Sequence, residues 1–209
     1  MDFSYTVKTR HPARSRGFTL LELMVVVVII GILAAIALPQ IASRMRERRT
    51  NQAAQQIALL YRNARLRAMG RGFAVLVNYN SSTGAFRVLE TLPAGGVTDC
   101  TPRVPPSCTT TNWAVATETR EVEAFNPSTS GATGPYAGVL VGVTEQPSGT
   151  AASYLDVCFT PRGRTFSRIL SASALQPMTG VIDINVGRAA PMLQRQVNIL
   201  PNGMARVAL

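Results

Sequence analysis

Arg16-Gly17-Phe18-Thr19-Leu20-Leu21-Glu22 runs straight into an uncharged apolar segment from Leu23 to Ser43. Those 21 residues span about 31 Å as a helix at 1.5 Å per residue, close to the roughly 30 Å of a bilayer core. The segment before them carries Lys8, Arg10, Arg14 and Arg16 against Asp2 alone. Positive charge on that side predicts a cytoplasmic N-terminus and an exported C-terminal remainder. Glu22 is the anomaly, because an ionised side chain in a membrane span costs on the order of 3 kcal/mol and usually marks a functional site with a partner.

A basic leader ending in glycine, then Phe-Thr-Leu-x-Glu heading an apolar helix, resembles the prepilin signal of type IV pilins and type II secretion pseudopilins. The resemblance implies that a prepilin peptidase cuts between Gly17 and Phe18 and N-methylates Phe18. Glu22 then becomes the fifth residue of the mature chain. In that family the carboxylate pairs with the N-terminal ammonium of a neighbouring subunit, which offsets the desolvation of both charges. Two plainer readings compete. Ala35-Ile36-Ala37 fits the small-x-small pattern of an ordinary secretory signal, and the segment also suits a simple single-pass anchor. Both leave Glu22 without a role.

Removal of 17 leader residues leaves 192, of which roughly 140 follow the long helix, the size of one small domain. The full chain has 21 basic and 11 acidic residues, and the mature part keeps 17 and 10, a net charge of +7. All of those 17 are arginine, since Lys8 and the single histidine, His11, lie in the leader. A mature chain without His or Lys builds no Ser-His triad, Ser-Lys dyad, Schiff base or ordinary histidine zinc site. Glu118, Glu121 and Glu123 remain for carboxylate chemistry, but they alternate with apolar or small neighbours along Trp113–Phe125 and read as the wet face of a strand. No glycine-rich phosphate loop is present in the sequence. The expectation is a protein that is not an enzyme and that needs neither cofactor nor metal.

Cys100, Cys108 and Cys158 all fall on the exported side, where disulfides form. Cys100 and Cys108 bracket a proline-rich loop, so a local bridge between them is the first expectation. Cys158 lies in an apolar strand-like run and reads as a buried thiol. The odd count keeps Cys100 to Cys158 as an alternative.

Past the span, residues 44 to 70 keep a helical period. With Ile57 at the centre of one face, Ala53, Leu60, Tyr61, Ala64 and Ala68 fall within roughly 60° of it, while Arg44, Arg48 and Arg62 point away. One helix of roughly 80 Å from Phe18 to about Gly70 follows. Pro39 removes an amide within it and predicts a kink or local loosening, and Gly31 adds a second weak point. Arg44, Arg46, Arg48 and Arg49, relieved by Glu47, form a polar stop whose side chains reach the headgroups, or a docking surface for another subunit.

After Gly72 the period changes from 3.6 to short strands between turns. Strands are expected at Phe73–Tyr79, Ala85–Glu90, Trp113–Phe125, Ala137–Val143, Tyr154–Phe159, Thr165–Ile169, Val181–Val186, Gln196–Leu200 and Met204–Leu209, with a hairpin at Asn80–Gly84. Thr91–Asn112 and Asn126–Pro135 read as exposed loops. The expected organisation is α+β: a leader at 1–17, a membrane and filament-core helix at 18–43, its amphipathic half at 44–72, and an antiparallel β-sheet head at 73–209.

The head is similar to the FimT/GspH branch of the pilin family in three places: the helix exit Tyr61–Gly72, the strand and turn Val157–Arg164, and the closing hairpin Gln196–Val207. This resemblance implies a minor pilin, or a minor pseudopilin of a type II secretion system. Such a subunit sits in the inner membrane with its head periplasmic, joins other minor and major pilins, primes assembly and stays at or near the tip. Some members of the branch bind DNA through a Gly-Arg-x-Arg turn in the final hairpin. Here that turn is Gly203-Met204-Ala205-Arg206, so the first arginine is absent, and Arg162 and Arg164 flank another turn. A net charge of +7 attracts phosphates without reading sequence.

Overall fold

The computed structural model describes residues 17–92, 107–127, 136, 138–188 and 194–208. The chain divides into two compact units, Met1–Ser43 and Arg44–Leu209. One element, helix α1 (Leu20–Arg71, 52 residues), contributes to both. In the first unit α1 carries an apolar run, Leu20–Leu38, with a mean hydropathy of 3.0 and none of it buried. Its length and composition suit a membrane crossing. The helical run continues through Gly31 and Pro39 without a break, so neither residue ends it. Pro39 still lacks the amide that would donate one turn back.

In the second unit the predicted face of α1 is the buried one: Ala53, Ile57, Leu60, Tyr61, Ala64 and Ala68 are each at most 2% exposed. Arg44, Arg48 and Arg62 are exposed on other faces. The helix ends where Gly72 takes a φ of +75° and its amide donates to Ala68 O at 3.1 Å. A glycine in the left-handed region just past the last turn is the usual stop, because other residues pay a steric penalty there.

Eleven strands follow: β1 (Val75–Asn80), β2 (Ala85–Thr91), β3 (Thr119–Phe125), β4 (Leu140–Gln146), β5 (Thr150–Ala152), β6 (Tyr154–Phe159), β7 (Thr165–Arg168), β8 (Gln176–Pro177), β9 (Val181–Gly187), β10 (Arg195–Ile199) and β11 (Ala205–Ala208). They form a six-stranded sheet in the order β3-β2-β1-β6-β7-β8 and a five-stranded sheet in the order β11-β10-β9-β4-β5. Every described pair is antiparallel. The fold is therefore α+β, as the change of period at Gly72 predicts.

Alternation decides what each face does, since neighbouring side chains point to opposite faces of a sheet. Val75, Val77 and Tyr79 of β1, Phe86 and Val88 of β2, and Leu155, Val157 and Phe159 of β6 pack in one cluster with the buried face of α1. Ile182, Ile184, Val197 and Ile199 of the second sheet complete that cluster. The Tyr79 hydroxyl donates to Val141 O at 2.9 Å and so ties β1 to β4 across the two sheets. Burial raises the Tyr79 pKa, which keeps the hydroxyl a donor. The opposite face of the six-stranded sheet carries Leu76, Cys158 and Phe166, which pack with Cys108, Trp113 and Leu175 in a second, smaller cluster.

That second cluster corrects two expectations. Only Thr119–Phe125 of the expected Trp113–Phe125 strand is extended, because residues 107–118 run as turns over the sheet. Trp113 anchors them, burying its ring and donating Nε1–H to Cys108 O at 3.1 Å. The disulfide joins Cys108 to Cys158, with Cα atoms 5.8 Å apart and 50 residues of separation, in place of the expected local bridge from Cys100 to Cys108. Cys158 is thus a bridged half-cystine and not a free thiol. The physical reason is register: Cys158 opposes Leu76 on the face that the 107–118 segment covers. Cys100 lies outside the described residues, as do residues 93–99 and 101–106 of the expected loop.

Candidate functional site

The segment expected to be processed is described from Gly17 onward, and residues 1–16 of the expected leader lie outside the described part. Gly17, Phe18 and Thr19 precede α1 outside any helix or strand, and Phe18 is 83% exposed. A protease that must lay a backbone along its own cleft meets here a segment with no helix to unwind. Thr19 caps the helix: its Oγ1 accepts from the Glu22 amide at 3.2 Å, and its carbonyl accepts from the Leu23 amide at 3.2 Å. Thr-x-x-Glu is the spacing of a capping box, in which the threonine satisfies one of the orphan amides of the first turn. Glu22 occupies the third helical position, where the positive end of the helix dipole favours a carboxylate. The Glu22 side chain is exposed and forms no ion pair among the described residues. The helix start thus offers a carboxylate at a fixed place, followed by 16 apolar residues from Leu23 to Leu38.

The arginines raised by the sequence fall in two places. Arg162 and Arg164 are exposed in the turn between β6 and β7, closed by Thr160 N to Arg164 O at 2.9 Å and Gly163 N to Thr160 O at 2.9 Å. Arg206 is exposed on β11, and with Arg62 and Arg65 of α1 it lines a recess of about 310 Å³ whose walls include Leu66 and Met204. Arg62 Nε donates to Ala205 O at 2.8 Å, fixing the edge of β11 to the helix. The structure therefore joins Arg206 to helix arginines, while Arg162 and Arg164 stay on a separate turn.

Sequence reading missed a buried carboxylate. Glu90 is 1% exposed at the end of β2 and holds three arginines. Arg120 Nη2 and Arg67 Nη2 reach its Oε2 at 2.7 and 3.0 Å, and Arg71 Nε reaches Oε1 at 3.3 Å. Burial alone would push the Glu90 carboxyl up, but the hydrogen bonds from Arg120 and Arg67 and the charges of Arg67 and Arg71 outweigh it and hold the group below its ordinary value. The cluster ties the last turn of α1 to β2 and β3. Strand parity was the available signal: Phe86, Val88 and Glu90 alternate on one face, so an acid there needs partners. A second buried carboxylate, Asp156 on β6, is satisfied by Asn78 at 2.6 Å, Tyr154 at 3.1 Å and Arg168 at 2.7 Å. By contrast Glu121 and Glu123 are exposed on the edge strand β3.

Residues 12–38 match the family described as the prokaryotic N-terminal methylation motif. Over 48 residues the chain is 56% identical to the type IV major pilin protein PilA of Myxococcus xanthus (strain DK1622), a match covering 21% of this chain and 22% of that protein. The chain thus spans about a fifth of the length of the curated relative it matches. Both matches support a type IV pilin-like family. Among solved structures, the type IV minor pilin FimU of Pseudomonas aeruginosa (strain PAO1) aligns over 76% of this chain and 92% of that chain, at 12% identity and a TM-score of 0.40.

Proposed function

We propose that this chain is a non-enzymatic minor pilin that primes assembly of a type IV pilus and is incorporated at or near its tip. The observation that carries the reading is the capped helix start. An exposed Gly17–Thr19, outside any helix or strand, precedes a carboxylate at the third helical position and an unburied apolar run to Leu38. In this reading a prepilin peptidase cuts between Gly17 and Phe18 and methylates Phe18. The mature chain stays in the inner membrane with its N-terminus cytoplasmic and its head periplasmic, until Glu22 takes the ammonium of a neighbouring pilin. That pairing places one buried charge against another and so offsets part of the cost of carrying either into an apolar filament core.

The head supports the minor role through its helix exit, its β6–β7 turn and its closing hairpin, which are the features similar to the FimT/GspH branch. Their alternative setting is a minor pseudopilin of a type II secretion system. A clean deletion, scored for sheared surface pili and for secreted protein in the same cultures, separates the two. Loss of pili with normal secretion supports the pilus role, and loss of secretion with intact pili overturns it.

One observation favours a second reading, DNA capture: Arg206 shares a recess with Arg62 and Arg65. Three guanidiniums around one recess attract phosphate backbones through charge, so binding by this route weakens steeply with salt. A gel shift of the full chain with duplex DNA tests it. No shift at low salt, or an equal shift for Arg206→Gln, removes the reading.

A further inference from the structure

Six residues past Leu38, where the apolar run ends, α1 carries Arg44-Met45-Arg46-Glu47-Arg48-Arg49. Arg44, Glu47, Arg48 and Asn51 recur at the i, i+3, i+4 and i+7 positions that share one helix face. The opposite wall is Arg195, the first residue of β10, and together these five residues line a recess of about 320 Å³. The recess holds three guanidiniums against the single carboxylate of Glu47. Arg44, Glu47, Arg48 and Arg195 form no ion pair among the described residues. Arg195 is half-buried, and its Nε is buried without a hydrogen-bond partner. Three guanidiniums around one recess without a carboxylate partner in the described chain leave their charge to solvent or to an anion from outside.

We propose that Arg44, Arg48 and Arg195 form a receptor for the phosphate of an anionic membrane lipid. Guanidiniums present paired donors that match phosphate oxygens, and two net positive charges suit one such group. Glu47 disfavours a carboxylate or phosphate close to its own side, so the anion sits toward Arg195 and the open edge. Lipid is the favoured source because only five residues of chain, 39–43, separate Arg44 from the apolar run, which tethers this part of α1 within reach of headgroups. The inference rests on the membrane-resident reading above. It goes beyond a row of basic residues flanking a span, because one of its ligands is a strand residue about 150 positions away in sequence. Bound lipid then holds the head as well as the helix until the subunit is withdrawn into a filament.

The test uses the full chain in detergent, titrated with short-chain phosphatidylglycerol, short-chain phosphatidylcholine or inorganic phosphate, with bound molecules counted by native mass spectrometry. Phosphatidylglycerol is expected to bind most tightly. Arg195→Gln should weaken it about five-fold, the loss expected for one arginine near an anionic surface, and Arg44→Gln with Arg48→Gln about 25-fold. Arg46→Gln and Arg49→Gln, which lie outside the recess, should bind as the unaltered chain does. Equal binding by Arg195→Gln, or equal weakening by Arg46→Gln and Arg49→Gln, overturns the receptor. Inorganic phosphate binding as tightly as the lipid overturns the lipid source. If near-ultraviolet circular dichroism shows Arg195→Gln unfolded, Arg48→Gln on the exposed helix face decides the matter alone. Failure of the full chain to float with phosphatidylcholine vesicles overturns the membrane reading itself, separately from the receptor.

Discussion

Replacement of Glu90 by glutamine keeps the volume and one carbonyl acceptor but removes the charge that Arg67, Arg71 and Arg120 share. The carboxylate is almost wholly buried, while its three partners are 30%, 49% and 50% exposed. A hydrogen bond to a charged group contributes about 1.5–3 kcal/mol net, and Glu90 accepts two, from Arg67 and Arg120. Those guanidiniums recover water on their exposed sides once the carboxylate is neutral, so the loss is discounted to about 2 kcal/mol. For a unit the size of Arg44–Leu209 this lowers Tm by about 4–8 °C at pH 7. The pH dependence has a definite sign. The folded pKa of Glu90 is lowered, so its contribution is full above the ordinary glutamate value of about 4.3 and is lost as pH falls through the folded value. Thermal unfolding of the full chain in detergent, followed by near-ultraviolet circular dichroism, should give a gap between the two proteins that is constant from pH 6 to 7 and shrinks below about pH 4. Equal Tm values at pH 7 would refute the reasoning, and so would a gap that does not shrink in acid.

Peptide mapping without reduction should recover Cys108 joined to Cys158, and Cys100 joined to either residue contradicts the arrangement. Cys158→Ser with Cys108→Ser should lose about 4 kcal/mol in urea unfolding, the chain-entropy value for a loop of 50 residues. Gly203 has a φ of +77°, and a Cβ there would lie 2.7 Å from Thr165 Oγ1 and 3.0 Å from Phe159 Cε1. Gly203→Ala should therefore cost about 2 kcal/mol in the same assay, and a neutral result contradicts the closeness of the final hairpin to β6 and β7. Glu22→Gln should leave Phe18 as the N-methylated first residue by mass spectrometry, yet lower recovery in sheared filaments at least about ten-fold, the equivalent of 1.4 kcal/mol in an assembly equilibrium. Normal recovery removes Glu22 from assembly.

The parts of the molecule set by local periodicity were legible. The apolar run and the 3.6-residue stripe through Ile57 predict α1 and its buried face, because every position on a helix is fixed by its neighbours. Alternation likewise predicts the central strands. Two strands escaped: Thr150–Ala152 and Gln176–Pro177 are too short to show a period, and they exist because a neighbouring strand offers an edge. The 107–118 segment escaped for a related reason. Its residues from Trp113, read on into Glu118, Glu121 and Glu123, imitate a strand, while its course over the sheet is set by the burial of Trp113 and by the non-local bond from Cys108 to Cys158. Spacing alone favours the nearer cysteine partner, since loop closure over eight residues costs less than over 50. Sheet register outweighs that difference by placing Cys158 under the segment.

The same contrast separates the proposed processing motif from the proposed lipid receptor. In the proposed function, processing and assembly rest on a short continuous motif, Gly17 to Glu22, whose chemistry is carried by adjacent residues and is readable one position at a time. The recess beside it in function draws Arg44 and Arg48 from α1 and Arg195 from β10. Read along the chain, Arg44 and Arg48 are a polar stop, and Arg195 is one more basic residue at the start of a strand. Only folding gives them a common target. A generic stop needs charge but no geometry, so it tolerates any exchange of basic residues along 44–49. A receptor assembled from two elements does not, and the response to Arg195 is therefore the property that distinguishes recognition of a headgroup from simple attraction to a surface.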